Sequence, residues 1–431
     1  MRPTTLIRAI PITPAEFSPG ERTDWNRSEV HPGAAIHRAI LALVWLTFAL
    51  SSIVFTEPAP VDALLAGLSV LLPVAGLVAV TPALASYIAL WAVAGACGLL
   101  AATISRDVAA STVFTSISLY LYVASSMLAG FVARDPARHS RVILSGWTAA
   151  SVIAAIAALM GYFEILPGAH DLFTKFDRAS GPFKDPNVFG PFLVAPVLYV
   201  LHLSLERSWL RAIVPLATAG LLALGILLSY SRGAWINLAL AVAIYAVLAF
   251  ITAATAGARE RIVALVLSGA AVIALVTGVA VQDDRIGAFF KDRASLTQSY
   301  DEGPEGRFGG QQKAVQLILE NPLGIGAGQF TSVYHSEEVH NVYLSMLLNA
   351  GWAGGLMFWL MTGLTIAIGL KAALVTSPAR PLFLVAYAAF CATAAEGIVI
   401  DIDHWRSFYI LMALVWGSAF SPFRSEEVAS R

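Results

Sequence analysis

The chain has 431 residues, of which 58% are hydrophobic and only 13% charged, with a formal net charge of −1. Ordinary globular domains are about 25% charged, so this composition excludes a fold with a fully hydrated surface. The balanced charge provides no basic field for nucleic acid, and we expect no nucleic-acid partner.

Apolar runs of about 20 residues, the length of a bilayer-spanning helix, recur along the chain. They predict an all-α polytopic membrane protein with about 12 transmembrane helices. The tenth run is longer than a bilayer requires, which predicts that it tilts or breaks at Gly351, Gly354 and Gly355. The predicted spans are 38–55, 61–80, 83–103, 109–132, 142–165, 187–206, 211–230, 233–254, 262–281, 341–370, 380–398 and 405–421.

These spans divide the chain into five regions. Residues 1–35 form a polar tail without an early apolar run, which predicts that no signal peptide is cleaved. Transmembrane helices one to nine occupy 36–281, a long polar loop occupies 282–340, helices ten to twelve occupy 341–421, and 422–431 form a second tail.

Lysine and arginine residues predict the side on which each loop lies. They concentrate in 133–141, 206–211, 258–261 and 371–380, whereas the short loop 56–60 has none. Because cytoplasmic loops carry the excess of positive charge, both termini are predicted to be cytoplasmic and the 282–340 loop periplasmic.

Within that loop, "QQKAVQLILENPLG" (311–324) predicts a short helical cap with Val315, Ile318 and Leu319 on its apolar face.

Cationic residues precede or begin two inward-running helices. Ser231 is a predicted N-cap followed by Arg232, and Arg178 and Lys184 stand before a helix that Asp185 caps and Pro186 begins. A helix N-terminus beside an arginine forms an anion site. The alternative for Arg232 is a boundary arginine whose guanidinium reaches the lipid headgroups.

A histidine and another arginine flank the large loop. Asn341 is the predicted cap of the tenth helix, and His340 continues an apolar stripe formed by Tyr343, Leu344 and Leu347. Arg307 precedes the cap helix among glycines. The alternatives are an imidazole bonded to headgroups and an exposed loop arginine.

Two further motifs are weak. "PLGIGAGQF" (322–330) has the glycines of a phosphate-binding loop but follows a helix rather than a strand. "DID" (401–403) has the form of an acidic metal-binding pair, but we interpret it as a solvated cap before the last helix. We therefore expect no metal and no cofactor.

Three motifs together resemble the O-antigen ligase and polymerase family of bacterial inner-membrane proteins. They are "SRGAW" (231–235), "GRF" with "NPLGIGAGQF" (306–330), and "HNVYLSMLLNAGWAGG" (340–355), and the likeness extends over about 187–370. "GPFKDPNVFG" (181–190) looks like a signature of part of this family. The resemblance implies a glycosyltransferase that moves a glycan from a polyprenyl diphosphate carrier to an acceptor hydroxyl at the periplasmic face, without nucleotide or metal.

The resemblance also implies roles for individual residues. Arg232 and Arg307 would hold the diphosphate and His340 would be the catalytic base, with inversion at the anomeric carbon. The expected partners are the carrier-linked glycan, an acceptor that is lipid A-core or a growing glycan, and membrane lipids. The expected substrate-binding residues are Arg178, Lys184, Asn187, Ser231, Asn341 and Tyr343.

The motifs do not identify the acceptor of the glycan. We favour a ligase, which passes a finished glycan to lipid A-core, over a polymerase that joins repeat units of O-antigen or exopolysaccharide. A solute transporter also suits twelve helices, but transporters usually place ionisable groups near mid-membrane, and these spans are nearly free of charge.

Overall fold

A computed structural model describes residues 32–282 and 306–421, together with Gly287 and Gly303. Both predicted tails, apart from Pro32–Ala35, and most of 283–305 lie outside the described residues. The chain divides into two units, Met1–Ile40 and Leu41–Arg431. Of the first unit, the structure describes only the start of a helix; the architecture below is that of the second.

Helices make up most of the described chain, with one two-stranded antiparallel hairpin, β1 (Thr174–Lys175) and β2 (Arg178–Ala179), between the fifth and sixth predicted transmembrane spans. The elements, in order, are α1 (Pro32–Ala49), α2 (Pro60–Val74), α3 (Pro82–Thr103), α4 (Val108–Arg134), α5 (Pro136–Tyr162), α6 (Ala169–Phe173), β1 (Thr174–Lys175), β2 (Arg178–Ala179), α7 (Pro186–Phe192), α8 (Val194–Leu205), α9 (Trp209–Leu228), α10 (Arg232–Thr252), α11 (Ala256–Ala280), α12 (Arg307–Glu320), a π-helical turn (Phe330–Tyr334), α13 (Val342–Ala373), α14 (Arg380–Glu396) and α15 (Arg406–Ala419).

Eight of the described segments are long and apolar enough to cross a bilayer, which confirms a multi-pass helical membrane protein. One of the eight, Pro186–Leu205, consists of the consecutive helices α7 and α8. Helices also occur at the other four predicted positions, but α1, α2, α14 and α15 are shorter or less apolar than a full span requires. The count of twelve therefore stays a prediction.

The predicted break in the tenth span is confirmed at Gly351. Its φ of 68° and ψ of −178° interrupt α13, and a Cβ there would stand 2.6 Å from the backbone carbon of Leu323. Backbone groups freed by the break bond the loop that follows α12: Trp352 N donates to Pro322 O at 2.9 Å, and Ile325 N donates to Leu348 O at 2.8 Å. The break thus fastens this loop to the membrane helix.

The cap helix α12 forms, and the face that it buries against protein shares only Ile318 with the predicted apolar face. The helix begins at Arg307 and buries a face of Ala314, Leu317 and Ile318, whereas Val315 is 45% and Leu319 67% exposed. The physical reason is its partner: the buried face packs on protein, in one apolar cluster with Ile325, Phe330, Val339, Leu347 and Leu348. The cap is therefore packed on the start of α13.

Candidate functional site

The start of α10 is built as the sequence predicts. The Ser231 hydroxyl accepts a hydrogen bond from Ala234 N at 3.3 Å, and Arg232 is the first helical residue, half-buried. Small side chains crowd this turn, since a Cβ on Gly190 would meet the Ala234 methyl at 2.6 Å. Arg232 thus stands at a helix N-terminus, where the partial positive charge favours an anion.

Arg178 and Asn187 lie directly behind this turn. Arg178 is 5% exposed; its Nε donates to Ser229 O at 2.6 Å and its Nη2 donates to Asn187 Oδ1 at 2.7 Å. Asp185 caps α7 as predicted, accepting from Asn187 N at 2.8 Å. These contacts give Arg178 a structural task, because one guanidinium joins the hairpin, α7 and the turn before Arg232.

Lys184 has a different neighbourhood. Its ammonium lies 3.3 Å from a carboxylate oxygen of Glu57, in the loop after α1, and both side chains are about half exposed. The same loop pairs with the hairpin region where Val54 N donates to Pro182 O at 2.9 Å. The structure therefore brings Lys184 to the 50–59 loop.

His340 occupies a strained position immediately before α13. Its φ is 51°, in the left-handed region that costs a non-glycine residue about 1–2 kcal/mol. Its backbone N–H donates to Asp401 Oδ2 at 2.9 Å, and the Ser345 hydroxyl donates to Asp401 Oδ1 at 2.5 Å. Asn341 caps the helix by accepting from Tyr343 N and Leu344 N. One carboxylate thus ties His340 to the first turn of α13.

Charged groups surround the imidazole. Burial lowers the pKa of His340, and the charge of Arg307 lowers it further, while Asp401, Glu337 and Asp185 act in the opposite direction. The net direction is downward, so the imidazole is neutral at pH 7 and able to accept a proton. Arg307 begins α12 and is brought close enough to His340 for its charge to act there.

The interpretation of Asp401 and Asp403 as a solvated cap was wrong. Asp403 is only 6% exposed and Asp401 is half-buried. Burial raises the pKa of Asp401, and the neighbouring charge of Asp403 raises it further. The loop folds inward because Asp401 accepts hydrogen bonds from the His340 backbone N–H and the Ser345 hydroxyl. The sequence signal was two carboxylates in an otherwise apolar run, but the partner of Asp401, the backbone N–H of His340, lies 61 residues away in the chain.

Tyr343 and the glycine-rich loop serve the packing around the site. The Tyr343 hydroxyl donates to Ala394 O at 2.7 Å and joins α13 to α14. In the loop, a Cβ on Gly324 (φ 85°) would lie 2.6 Å from Gly351 N. Ser111 Oγ donates to Ala327 O at 2.7 Å. The loop therefore lies against α4 and the broken α13 through its own backbone.

The helix starts of α10 and α13 both contact the end of α14. Asn237 Nδ2, in α10, donates to Glu396 Oε2 at 2.6 Å. Val342 N, in the first turn of α13, donates to Gly397 O at 2.9 Å. The helix that Arg232 begins and the helix that follows His340 therefore both contact the short segment formed by Glu396 and Gly397.

Comparison with known proteins agrees with the motifs. Residues 217–359 match a family model described as O-antigen ligase, and this range contains Arg232, Arg307 and His340. No curated protein matched the chain. The match confirms the resemblance drawn from the three motifs: residues 217–359 are similar to the O-antigen ligase family.

Proposed function

We propose that this membrane protein is a glycosyltransferase of the O-antigen ligase type. It takes a glycan from a polyprenyl diphosphate carrier at the periplasmic face of the bacterial inner membrane and passes it to a hydroxyl of lipid A-core. The observation that carries the proposal is a half-buried histidine with a lowered pKa, under the charge of Arg307 and within the matched family segment.

Two arginines supply the charge that a diphosphate leaving group needs. Arg232 stands at a helix N-terminus and Arg307 begins the cap helix. Guanidinium groups bind phosphate oxygens with two parallel hydrogen bonds, and such bonds strengthen as negative charge develops on the leaving group. In this proposal the two residues hold the diphosphate before and during its departure.

His340 acts as the general base in the reaction. Its neutral imidazole removes the proton from the acceptor hydroxyl while the acceptor oxygen forms a bond to the anomeric carbon. The bond from that carbon to the phosphate oxygen breaks, and the carrier diphosphate leaves with the electron pair. Attack opposite the leaving group inverts the anomeric configuration. Asp401 holds the His340 backbone in position.

A polymerase that joins repeat units of O-antigen or exopolysaccharide would use the same donor chemistry. Deletion of the gene, followed by electrophoresis of the lipopolysaccharide, separates the two. Loss of the whole ladder with polymer accumulating on the carrier supports a ligase. Core bearing a single repeat unit supports a polymerase.

The reaction itself is tested with purified protein in lipid vesicles. The assay supplies a polyprenyl diphosphate-linked glycan and a lipid A-core acceptor, and follows the appearance of glycosylated acceptor. We expect transfer that a chelator leaves unchanged, because the arginines carry the phosphate charge. Movement of a free solute across the vesicle membrane without any transfer would favour a transporter and contradict the proposal.

A further inference from the structure

A buried carboxyl group lies between the two helix starts and has no part in the proposed reaction. Glu396, the last residue of α14, is 5% exposed. Its Oε2 accepts from Asn237 Nδ2, whereas its Oε1 is buried without a hydrogen-bond partner among the described residues. Buried carboxyl groups are costly unless fully bonded, and inside membrane proteins they usually have a function.

The unpartnered oxygen is directed at the helix that Arg232 begins. A Cβ on Gly233, the residue after Arg232, would stand only 2.6 Å from Glu396 Oε1. The glycine of the "SRGAW" motif therefore leaves space for this carboxyl against the first turn of α10. Asn237 lies one turn further along the same helix.

The residue after Glu396 reaches the other helix start. Gly397 O accepts from Val342 N at 2.9 Å, and a Cβ on Gly397 would lie 2.9 Å from a methyl group of Val342. Glu396 and Gly397 are thus in direct contact with the helix that begins with Arg232 and with the helix that follows His340.

We infer that Glu396 is a positioning residue that holds the start of α10 in register with the start of α13. This inference rests on the proposed function, in which Arg232 binds the donor and His340 activates the acceptor. The reacting atoms must approach within about 3–3.5 Å, and a displacement of about 1 Å can cost roughly 100-fold in rate. Loss of the register should therefore lower kcat more than it raises the KM for the carrier-linked glycan.

The sharpest test is Gly233→Ala, which removes no polar group. Alanine favours a helix over glycine by about 1 kcal/mol, so the local helix is not weakened. Its methyl group must displace the Glu396 carboxyl. We expect kcat to fall by at least about tenfold in the vesicle assay, while the protein still elutes as a folded species in detergent.

Substitutions of the carboxyl group identify the interaction. Glu396→Gln retains an acceptor oxygen for Asn237 and should keep kcat within a few-fold of the wild type. Glu396→Leu and Asn237→Leu should each reproduce the loss, and the double variant should be no worse than either, because contacting residues are not additive.

The matched control is Thr365→Val, which removes another buried hydrogen bond between helices. Thr365 Oγ1 accepts from Trp416 Nε1 at 2.7 Å, in the half of α13 beyond the break. We expect this variant to keep the wild-type kcat even if its thermal midpoint falls.

Hydrogen exchange provides a readout that does not depend on activity. In Gly233→Ala and Glu396→Leu, the amides of both 232–236 and 342–346 should exchange faster than in the wild type. Unchanged kcat in both variants, or faster exchange confined to 232–236, would overturn the inference and leave the proposed reaction standing. A wild-type protein unable to transfer glycan would contradict the reaction alone, and the exchange result would still decide the role of Glu396.

Discussion

At the scale of single residues, His340 is defined by its surroundings as much as by its imidazole. Burial and the charge of Arg307 both lower the pKa of His340 below the usual histidine value of about 6.5. The neutral, basic form is therefore present at pH 7 and is lost as the pH falls through this lowered pKa. We expect transfer to decline on the acid side of that pKa. The pH profile of kcat/KM in the vesicle assay measures it.

Replacement of His340 should remove the base without removing the donor site. His340→Ala and His340→Gln are both expected to lose about 100- to 10,000-fold in transfer, the usual contribution of a general base. Binding of the carrier-linked glycan should survive. The control is His335→Gln, because His335 is 8% exposed, stacks on Phe330 and bonds the Glu337 backbone inside the cap. That variant should lower stability and leave the pH profile unchanged; equal losses in both would refute the assignment.

Arg232→Ala and Arg307→Ala should each abolish measurable transfer while insertion persists. Removing one partner of a charged hydrogen bond costs about 2–5 kcal/mol, or about 30- to 5,000-fold. Lysine should restore only part of the activity, because it lacks the two-pronged planar geometry. Arg261→Ala is the control, since Arg261 donates to Ser204 O at 2.7 Å and stacks on Trp209 in a predicted cytoplasmic segment. Near-normal rates in both site variants would exclude the diphosphate role.

Asp401→Asn should alter both the rate and its pH dependence. The Asp401 charge raises the pKa of His340, so its removal lowers that pKa further. The acid limb of the pH profile should therefore move to lower pH, while kcat falls because the amide holds the His340 backbone less firmly. Asp107→Asn is the comparison: Asp107 caps α4 through Ala110 N and should leave the profile in place. If the acid limb of Asp401→Asn stays where it is in the wild type, Asp401 does not act on the pKa of the catalytic base.

At the scale of elements, the break in α13 determines where the cap lies. Gly351 adopts φ and ψ values that are open almost only to glycine, and the Leu323 backbone fills the space where a side chain would go. Gly351→Ala should lower stability by about 1–3 kcal/mol and reduce transfer by displacing the loop after α12. Thermal unfolding in detergent measures it. Gly363→Ala is the control in the same helix, with no atom within 4 Å of its Cβ, and should be neutral or stabilising.

Local chemistry could be read from the sequence, and contacts between distant segments could not. Ser231, Asp185 and Asn341 cap their helices as expected, because a cap depends on the next three residues. The contact between His340 and Asp401 joins residues 61 positions apart. The protein-facing side of α12 could not be predicted for a related reason: periodicity shows that a helix has apolar residues, but its partner in the protein decides which of them pack there.

At the scale of the whole molecule, hydrogen bonds in the second unit join segments predicted on the same side of the membrane. Predicted outer segments meet at Val54–Pro182, Asp107–Gln329 and His340–Asp401, and predicted inner ones at Ser204–Arg261 and Thr252–Arg380. These contacts agree with the predicted alternation of segments across the membrane, and the lysine and arginine bias predicts which of the two sides is periplasmic.

Labelling of single cysteines tests the sidedness. Cys97 and Cys391 are replaced first, and Ser332→Cys, exposed in the cap, is compared with Ala254→Cys, exposed just after α10 at the predicted cytoplasmic end of the eighth span. An impermeant maleimide added to intact cells should modify position 332 alone. Modification of position 254 alone would invert the layout and place the site on the wrong side for the proposed reaction.

The left-handed backbone at His340 also has an evolutionary consequence. Glycine would occupy this conformation with less strain, so a chain selected for thermal stability alone would favour glycine over histidine there. Stability and catalysis make opposing demands at this one position, and Asp401 with Ser345 reconciles them by restraining the strained residue. Stabilised variants selected without an activity screen would therefore tend to lose His340, and with it the reaction.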